Sequence, residues 1–192
     1  MNKAVFIDRD GTLIKDVPYN TDAALIEFLP HTIEALLMLK KNNFLLIVVS
    51  NQSGIAKGFF TMEELKTMNK AFRQILSYYE VELDAVYYCP HHPEGKLEKY
   101  SVECNCRKPK PGLILKAAGE YDIDLSNSWM VGDILNDVEA GNVAGCKTIL
   151  LDNGNETEWI MNEKRTPAFT VKNWNDIATT ILANEKVVLS DG

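Results

Sequence analysis

The sequence predicts an α/β fold built on a doubly wound parallel sheet with helices on both faces. Short apolar runs alternate with longer segments of helical periodicity along nearly the whole chain, which is typical of such sheets. The run FLLIVVS at residues 44–50 is continuous and rich in β-branched residues, as expected of a strand buried on both faces. Clusters of polar residues follow directly after several apolar runs, where parallel sheets bind their ligands.

The predicted strands are the short apolar runs, each bounded by polar or turn-forming residues. They lie at residues 4–7, 44–50, 83–88, 128–133, 146–152 and 168–171. Because helical segments separate them, we expect right-handed crossovers between parallel strands, which gives a Rossmann-like sheet. The carboxyl ends of parallel strands meet at one edge of the sheet, so the chemistry is expected just after the apolar runs.

The predicted helices carry apolar residues on one side and recognisable start or stop signals. They cover residues 31–42, 61–79, 111–121 and 135–145, with a short helix before the last strand and a final helix from Asn173. Thr61 and Glu64 form a capping-box sequence at the start of the second helix. Pro111 stands at the start of the third helix and Gly145 at the end of the fourth, where each residue type is favoured.

Composition limits the class of protein. The 192 residues suit a single domain over residues 1–192, and 46% of them are apolar, enough for a sizeable core. Lys and Arg number 20 and Asp and Glu 27, a formal charge of −7, so we expect neither nucleic acid nor membrane as a partner. No stretch reaches the roughly 20 apolar residues of a membrane span. AVFIDRDG begins too early to leave room for a leader sequence, which predicts a cytoplasmic protein.

Two carboxylates follow the first strand, in the sequence DRDGT. Asp8 and Asp10 are two residues apart on an extended chain, so their side chains should point the same way. Like charges held together are costly without a cation, and oxygen ligands without a histidine favour Mg²⁺. The alternative is a simple turn, because Asp-Gly is a common turn signal.

Three further motifs follow in the chain. Ser50 begins the polar loop SNQSG, which could offer a hydroxyl and backbone N–H groups to a phosphate, or could simply cap the next element. Arg107 and Lys108, in RKPKPG, could balance phosphate charge, although solvated basic loops are more common. Asp133 and Asp137, in GDILND, suit a Mg²⁺ ligand with a carboxylate behind it, or else a favourable charge at a helix start.

Three of the four cysteines cluster with a histidine between residues 89 and 106. Cys89 and His91 form one pair, and Cys104 and Cys106 form a second. Such a Cys₃His set suits tetrahedral Zn²⁺, and four protein ligands leave no open position, so we expect a structural zinc ion. Unligated cysteines are the alternative, but this combination of pairs is rare by chance. Cys146 is expected to be an ordinary buried thiol.

Taken in order, DRDGT, SNQSG, KP and GDILND resemble the four signature motifs of the haloacid dehalogenase-like phosphatases over residues 4–150. The resemblance implies that Asp8 is the nucleophile that forms an aspartyl-phosphate, and that Asp10 is the general acid and then the base. It implies that Ser50 and Lys108 hold the transferring phosphoryl group. The implied Mg²⁺ ligands are Asp8, Asp10 through its backbone carbonyl, and Asp133, with Asp137 as an outer carboxylate.

The stretches CPHHPEG to CNCRKPKPG and SNQSGIAKG resemble the zinc-containing branch of this family. That branch includes phosphatases of D-glycero-D-manno-heptose 1,7-bisphosphate and of histidinol phosphate. The long loop, and Ser53 where histidinol phosphatases have Asp, favour the heptose enzymes and imply removal of the 7-phosphate. Ile134 is apolar where some heptose enzymes carry a basic residue. The implied substrate-binding residues are Asp16, Tyr19, Asn51, Gln52, Ser53 and Arg107.

The sequence leaves two alternatives open, one for the substrate and one for the kind of activity. The substrate could be histidinol phosphate or another small sugar phosphate. The chain could also be a non-catalytic module that accepts or binds phosphate; Asp10 argues against this, because a stable acyl phosphate has no use for an adjacent acid–base residue.

The expected architecture has no cap domain, because only about twenty residues separate Asp8 from the helix near His31. The zinc loop at residues 89–106 is therefore expected to close over a small phosphorylated sugar. We expect the chain to be a monomer.

Overall fold

The computed structural model describes residues 1–190, with side chains as far as residue 185. It contains a six-stranded sheet in which all neighbouring strands are parallel. The strands are β1 (Lys3–Ile7), β2 (Phe44–Asn51), β3 (Ala85–Cys89), β4 (Trp129–Gly132), β5 (Lys147–Leu151) and β6 (Phe169–Val171). The predicted doubly wound sheet is confirmed, and each strand lies within two residues of its predicted bounds.

The strand order β3-β2-β1-β4-β5-β6 places β1 at the centre of the sheet. Ile7 pairs with Val48 of β2 on one side and with Val131 of β4 on the other. The chain builds the sheet outward from β1 to β3 and then returns to β4 on the opposite side. This reversal opens a crevice beyond the carboxyl ends of the central strands, where doubly wound sheets bind ligands.

The helices connect the strands and cover the sheet. They are α1 (Thr32–Lys41), α2 (Gly54–Lys57), α3 (Met62–Tyr78), α4 (Gly112–Tyr121), α5 (Leu135–Ala144) and α6 (Trp174–Ser190). Short 3₁₀ helices lie at Ala23–Leu25, Glu98–Tyr100, Leu125–Asn127 and Glu163–Arg165. The predicted capping box is present, since the Glu64 N–H donates to Thr61 Oγ1 (3.2 Å) and the Thr61 N–H donates to Glu64 Oε2 (2.7 Å).

No helix among residues 1–190 has the combination of length and apolar character that a bilayer crossing demands.

The core lies on both faces of the sheet, because alternate strand residues point to opposite sides. Val5 belongs to the core beneath α1, α3 and α6. Its neighbour Phe6 belongs to the core beneath α4 and α5. Both side chains are completely buried, and burial of such a side chain contributes about 1.5–3 kcal/mol. The two cores therefore fix β1 firmly and with it the position of the polar residues at its carboxyl end.

Candidate active site

A cavity of about 350 Å³ lies at the carboxyl ends of the central strands. Its lining contains nearly all of the predicted catalytic and substrate-binding residues: Asp8, Asp10, Asp16, Tyr19, Ser50, Asn51, Gln52, Ser53, Lys108, Asp133 and Asp137. The four motifs, which are far apart in the sequence, therefore converge on one site. The topology explains this, because each motif follows a buried strand or enters a helix at the same edge of the sheet.

Lys108 is the cation at the base of the cavity and is only 4% exposed. Its Nζ lies 2.5 Å from Asp8 Oδ1 and 2.6 Å from Asp137 Oδ1. Burial opposes the charge on Lys108, but the carboxylates of Asp137 and Asp8 hold its pKa above its ordinary value. Lys108 therefore remains an ammonium ion at neutral pH, within reach of any group bound to Asp8.

Asn51, the last residue of β2, fixes the backbone of Lys108. The Lys108 N–H donates to Asn51 Oδ1 at 3.0 Å, and Asn51 Nδ2 donates to the Lys108 carbonyl at 3.1 Å. This paired contact ties the loop that carries Lys108 to the end of the sheet. The side chain of Lys108 consequently starts from a defined point.

Asp8, Asp133 and Asp137 form a buried carboxylate cluster. Each places an oxygen within 4.8 Å of the others. Lys108 contributes one positive charge against three negative charges, which leaves a formal charge of −2. Burial raises the pKa of Asp8 well above its ordinary value despite the opposing effect of Lys108, and burial raises the pKa of Asp133 to about 6. A set of buried carboxylate oxygens with this charge deficit fits a hard divalent cation.

Asp133 is held at both of its carboxylate oxygens. Thr12 Oγ1 donates to Oδ1 at 3.0 Å, and Asn155 Nδ2 donates to Oδ2 at 2.7 Å. Gly11 has a φ of +84° and passes so close that a Cβ there would lie 2.1 Å from Asp133 Oδ2. A residue with a side chain would displace Asp133, which accounts for the glycine in DRDGT.

The carboxylate of Asp10 lies in the same cavity but is not part of the carboxylate cluster. Arg9 grips it as a fork, with Nε donating to Oδ1 at 3.0 Å and Nη2 donating to Oδ2 at 2.9 Å. Gln52 Nε2 donates to Asp10 Oδ2 and to Ser50 Oγ, both at 2.8 Å. Two carboxylates from one short motif thus occupy different surroundings, which suits them to different chemical roles.

The mouth of the cavity is bridged by aromatic residues. Tyr19, with a φ of 57°, stacks on Phe59 with ring centroids 4.1 Å apart. Lys57 Nζ also donates to the Tyr19 hydroxyl at 3.0 Å. Residues 16–20 and the end of α2 therefore meet across the opening.

No residue of the loop at residues 89–106 lines the cavity, whereas the sequence predicted that this loop closes over the substrate. It packs against α2, where the N–H groups of Lys96 and Leu97 donate to the Ala56 carbonyl at 2.7 and 3.0 Å. The contact across the mouth comes instead from Tyr19. The sequence did not indicate this arrangement because α2 spans only four residues, too few to show helical periodicity.

Cys89, His91, Cys104 and Cys106 bring their ligand atoms together, as the sequence predicts. The distances between the sulfur atoms are 3.1, 3.2 and 3.5 Å, and His91 Nδ1 lies 3.4 Å from Cys106 Sγ and 3.7 Å from Cys89 Sγ. A tetrahedral Zn²⁺ with Zn–S bonds near 2.3 Å separates its sulfur ligands by roughly 3.8 Å. The four atoms surround a space that fits such an ion after a small expansion, and all four cysteines of the chain are free thiols.

Arg107 is the one predicted substrate residue outside the cavity lining of the described chain. It lines a neighbouring surface pocket with Glu103, Pro109 and Lys110. Its Nη1 donates to the His91 carbonyl at 3.4 Å. In this structure Arg107 therefore supports the Cys/His loop.

Arg9 and Asn155 belong to the site but were not predicted from the sequence. Arg9 lies between two predicted catalytic residues on an extended chain, where alternation would point its side chain away from theirs. The Arg9 side chain nevertheless turns back to the Asp10 carboxylate, and this depends on the local backbone geometry. Asn155 lies after β5 in a segment without a recognisable motif, and its position beyond a buried strand is the only signal that could have found it.

Comparison with known families matches residues 105–177 to the HAD-hydrolase-like family. The D-glycero-beta-D-manno-heptose-1,7-bisphosphate 7-phosphatase of Escherichia coli strain K12 is 41% identical over 168 residues, which cover 83% of this chain and 88% of that protein. The enzyme of the same name from Pasteurella multocida strain Pm70 is 46% identical over 155 residues, covering 80% and 84%.

Among solved structures, this chain is similar to a D,D-heptose 1,7-bisphosphate phosphatase from B. bronchiseptica complexed with magnesium and phosphate. The TM-score is 0.76 at 28% sequence identity, and the match covers 95% of this chain and 99% of that one. The resemblance inferred from the motifs is confirmed. The chain belongs to the haloacid dehalogenase-like phosphatases, in the family of the D-glycero-beta-D-manno-heptose-1,7-bisphosphate 7-phosphatases.

Proposed function

We propose that this phosphatase removes the phosphate at position 7 of D-glycero-D-manno-heptose 1,7-bisphosphate in a Mg²⁺-dependent reaction. The observation that carries the proposal is the convergence of Asp8, Lys108 and Asp133 at the base of one cavity. The names of the relatives at 41–46% identity support the choice of substrate. The substrate class is a small phosphorylated sugar.

The proposed reaction has two steps that share Asp8. In the first, an Asp8 oxygen attacks phosphorus, the bond from phosphorus to the sugar oxygen breaks, and Asp10 gives a proton to that oxygen. In the second, Asp10 takes a proton from water as the water attacks the aspartyl-phosphate, which releases inorganic phosphate and restores Asp8. Splitting the reaction lowers each barrier, as required for monoester hydrolysis, where acceleration reaches ~10²¹-fold.

Ser50 and Lys108 would hold the phosphoryl oxygens during both steps. Lys108 is already an ammonium ion beside Asp8, and Ser50 Oγ lies near the cavity through its contact with Gln52. Fixed charges and donors of this kind lower the barrier because they need no reorganisation as charge shifts.

The carboxylate cluster fits a divalent cation, and we assign it to Mg²⁺. Asp8, Asp133 and the backbone carbonyl of Asp10 would hold the ion, with Asp137 beside them. When bound, Mg²⁺ supplies positive charge to the phosphoryl oxygens. We assign Zn²⁺ to Cys89, His91, Cys104 and Cys106, where a closed ligand set gives it a structural role.

Substrate contacts would come from the remaining cavity residues. Asp16, Tyr19, Asn51, Gln52 and Ser53 all line the cavity. We retain Arg107 as a candidate contact; it would have to leave the His91 carbonyl to reach a substrate.

The proposal is tested by release of phosphate from purified protein with and without Mg²⁺. We expect a higher kcat/KM for the heptose bisphosphate than for histidinol phosphate, and release of the 7-phosphate only. Asp8→Asn should reduce kcat by roughly 10³-fold or more, because it removes the covalent route. Preference for histidinol phosphate, or turnover by Asp8→Asn at the rate of the unaltered enzyme, would refute the proposal.

A further inference from the structure

The segment Asn153–Glu156, which follows β5, contacts three separate parts of the active site. Asn153 Nδ2 donates to the carbonyl of Gly11 at 2.7 Å. Asn155 Nδ2 donates to Asp133 Oδ2 at 2.7 Å, and Glu156 Oε2 accepts from the Leu135 N–H at 2.6 Å. One short stretch thereby joins the loop after β1, the end of β4 and the first turn of α5.

Not all of these contacts are the local hydrogen bonds that a polar loop makes within itself. Local turns account for the other atoms of the same side chains, since Asn153 Oδ1 accepts from the Asn155 N–H (3.2 Å) and Glu156 Oε1 accepts from the Glu158 N–H (2.9 Å). Local turns do not account for the Asn155 amide, which reaches across to a buried carboxylate. Asn155 is itself exposed and lines the cavity, so core packing does not explain its position.

The Asn155 contact completes the support of Asp133. Thr12 already donates to Oδ1, so Asn155 occupies the remaining oxygen and fixes the plane of the carboxylate. Carboxylates that ligate a cation lose affinity for it when the groups that orient them are removed, typically by 10–100-fold. Without Asn155, the Asp133 carboxylate would keep only one hydrogen bond from another side chain, that of Thr12.

We propose that Asn155 is a positioning residue that sets the orientation of Asp133 for cation binding, with Asn153 and Glu156 anchoring its segment. The proposal rests on the proposed function in one respect, namely that Asp133 is a ligand of the catalytic cation. Asn155 acts through Asp133 and takes no part in proton transfer.

The test measures Mn²⁺ binding by electron paramagnetic resonance on the full zinc-loaded chain, because Mn²⁺ also prefers carboxylate ligands. Asn155→Ala should weaken Mn²⁺ binding by about 10-fold or more. Its melting temperature and zinc content should match those of the unaltered protein. Asn162→Ala is the matched control, because Asn162 caps the 3₁₀ helix at 163–165 through the Lys164 and Arg165 N–H groups, away from Asp133. It should bind Mn²⁺ normally.

Asp133→Asn in the same assay separates this inference from the proposed function. If Asp133→Asn loses Mn²⁺ affinity while Asn155→Ala binds within twofold of the unaltered protein, the positioning role is wrong. If Asp133→Asn also binds normally, the cation site of the proposed function is wrong and the inference falls with it. Asn155→Leu keeps the side-chain size without the donor. If the alanine variant has a lowered melting temperature, Mn²⁺ binding by Asn155→Leu is compared with that of the unaltered protein instead, with the same twofold limit.

Discussion

Lys108 carries the positive charge that partly compensates the buried carboxylates of the active site. It sits between two buried carboxylates and carries the loop of the third motif. A buried ion pair costs much of its attraction in lost hydration, but removing one partner leaves the other charges uncompensated. Lys108 therefore stabilises the folded protein even when no substrate is bound.

We expect Lys108→Met to destabilise the protein by about 3–5 kcal/mol in buffer without added Mg²⁺. The carboxylate cluster would lose its compensating charge. Urea unfolding at neutral pH measures this. Lys110→Met is the matched control, because Lys110 is exposed and lies 3.9 Å from Glu103, so its loss should cost less than about 1 kcal/mol. Equal costs for the two variants would show that Lys108 does not balance the cluster.

Single residues were predictable where strand topology alone decides their position. Asp8 and Asp133 directly follow buried strands and Ser50 lies near the end of another, and a parallel sheet brings such positions to one edge. Arg9 and Asn155 were not predictable, because their contacts depend on how a turn and a loop bend back after the strand. Arg107, the predicted substrate contact next to Lys108, places its guanidinium on the His91 carbonyl, whereas the Lys108 ammonium lies against Asp8, and the sequence of a loop does not reveal such a divergence.

Among the structural elements, the loop at residues 89–106 depends most on its metal ligands. Few of its residues are buried, so the loop has little core of its own. Cys89 lies at the end of β3, and Cys106 stands two residues before Lys108. The Cys/His set therefore links the sheet to the loop that carries the active-site lysine.

We expect one zinc ion per chain by elemental analysis, and its loss in Cys104→Ser. The 89–106 loop should then lose protection from amide hydrogen exchange, since metal binding supplies the folding free energy of such loops. Phosphatase activity should fall, because the loop that carries Lys108 would keep its contact with Asn51 but lose its link to the sheet through the metal.

Cys146→Ser is the control for that experiment. Cys146 is buried at the start of β5 and lies outside the Cys/His set, so the Cys146→Ser variant should keep its full zinc content. A zinc-free protein with a protected loop would contradict the assignment.

Elements with a strong periodic pattern were predictable, and short ones were not. The strands, α3 with its capping box, and α5 ending at Gly145 all carry signals within a few residues of sequence. The four residues of α2 carry none, although α2 helps to form the cavity mouth. Because Tyr19 meets α2 in space but not in sequence, the closure of the mouth could not be read from the chain.

For the molecule as a whole, the carboxylate cluster should make stability depend on pH when no Mg²⁺ is added. The pKa of Asp133 is about 6 in the folded protein against an ordinary value of 3.8, because burial disfavours its charged form. Between these values the folded protein binds more protons than the unfolded chain, so stability falls as pH rises. A difference of roughly two pKa units corresponds to a loss of about 3 kcal/mol in the free energy of unfolding. This loss is absent below about pH 4 and complete above about pH 6.

Urea unfolding of the unaltered protein and of Asp133→Asn, across pH 4 to pH 8, measures this effect. The unaltered protein should lose stability relative to the variant as the pH rises through that range. Comparing the two curves also removes any contribution from acid release of zinc, which affects both proteins equally. Parallel curves would show that burial does not disfavour the ionised form of Asp133.

In the proposed reaction, Asp8 accepts the phosphoryl group. The most direct measurement is rapid acid quenching of the Asp10→Asn variant with p-nitrophenyl phosphate and Mg²⁺, followed by peptide mapping. This substrate needs little acid assistance to leave, whereas hydrolysis of the intermediate needs Asp10 as a base, so the intermediate should accumulate. We predict covalent phosphate on the peptide that contains Asp8, close to one per chain. Phosphate on another residue, or turnover by the unaltered enzyme with no covalent phosphate in either protein, would show that Asp8 is not the nucleophile.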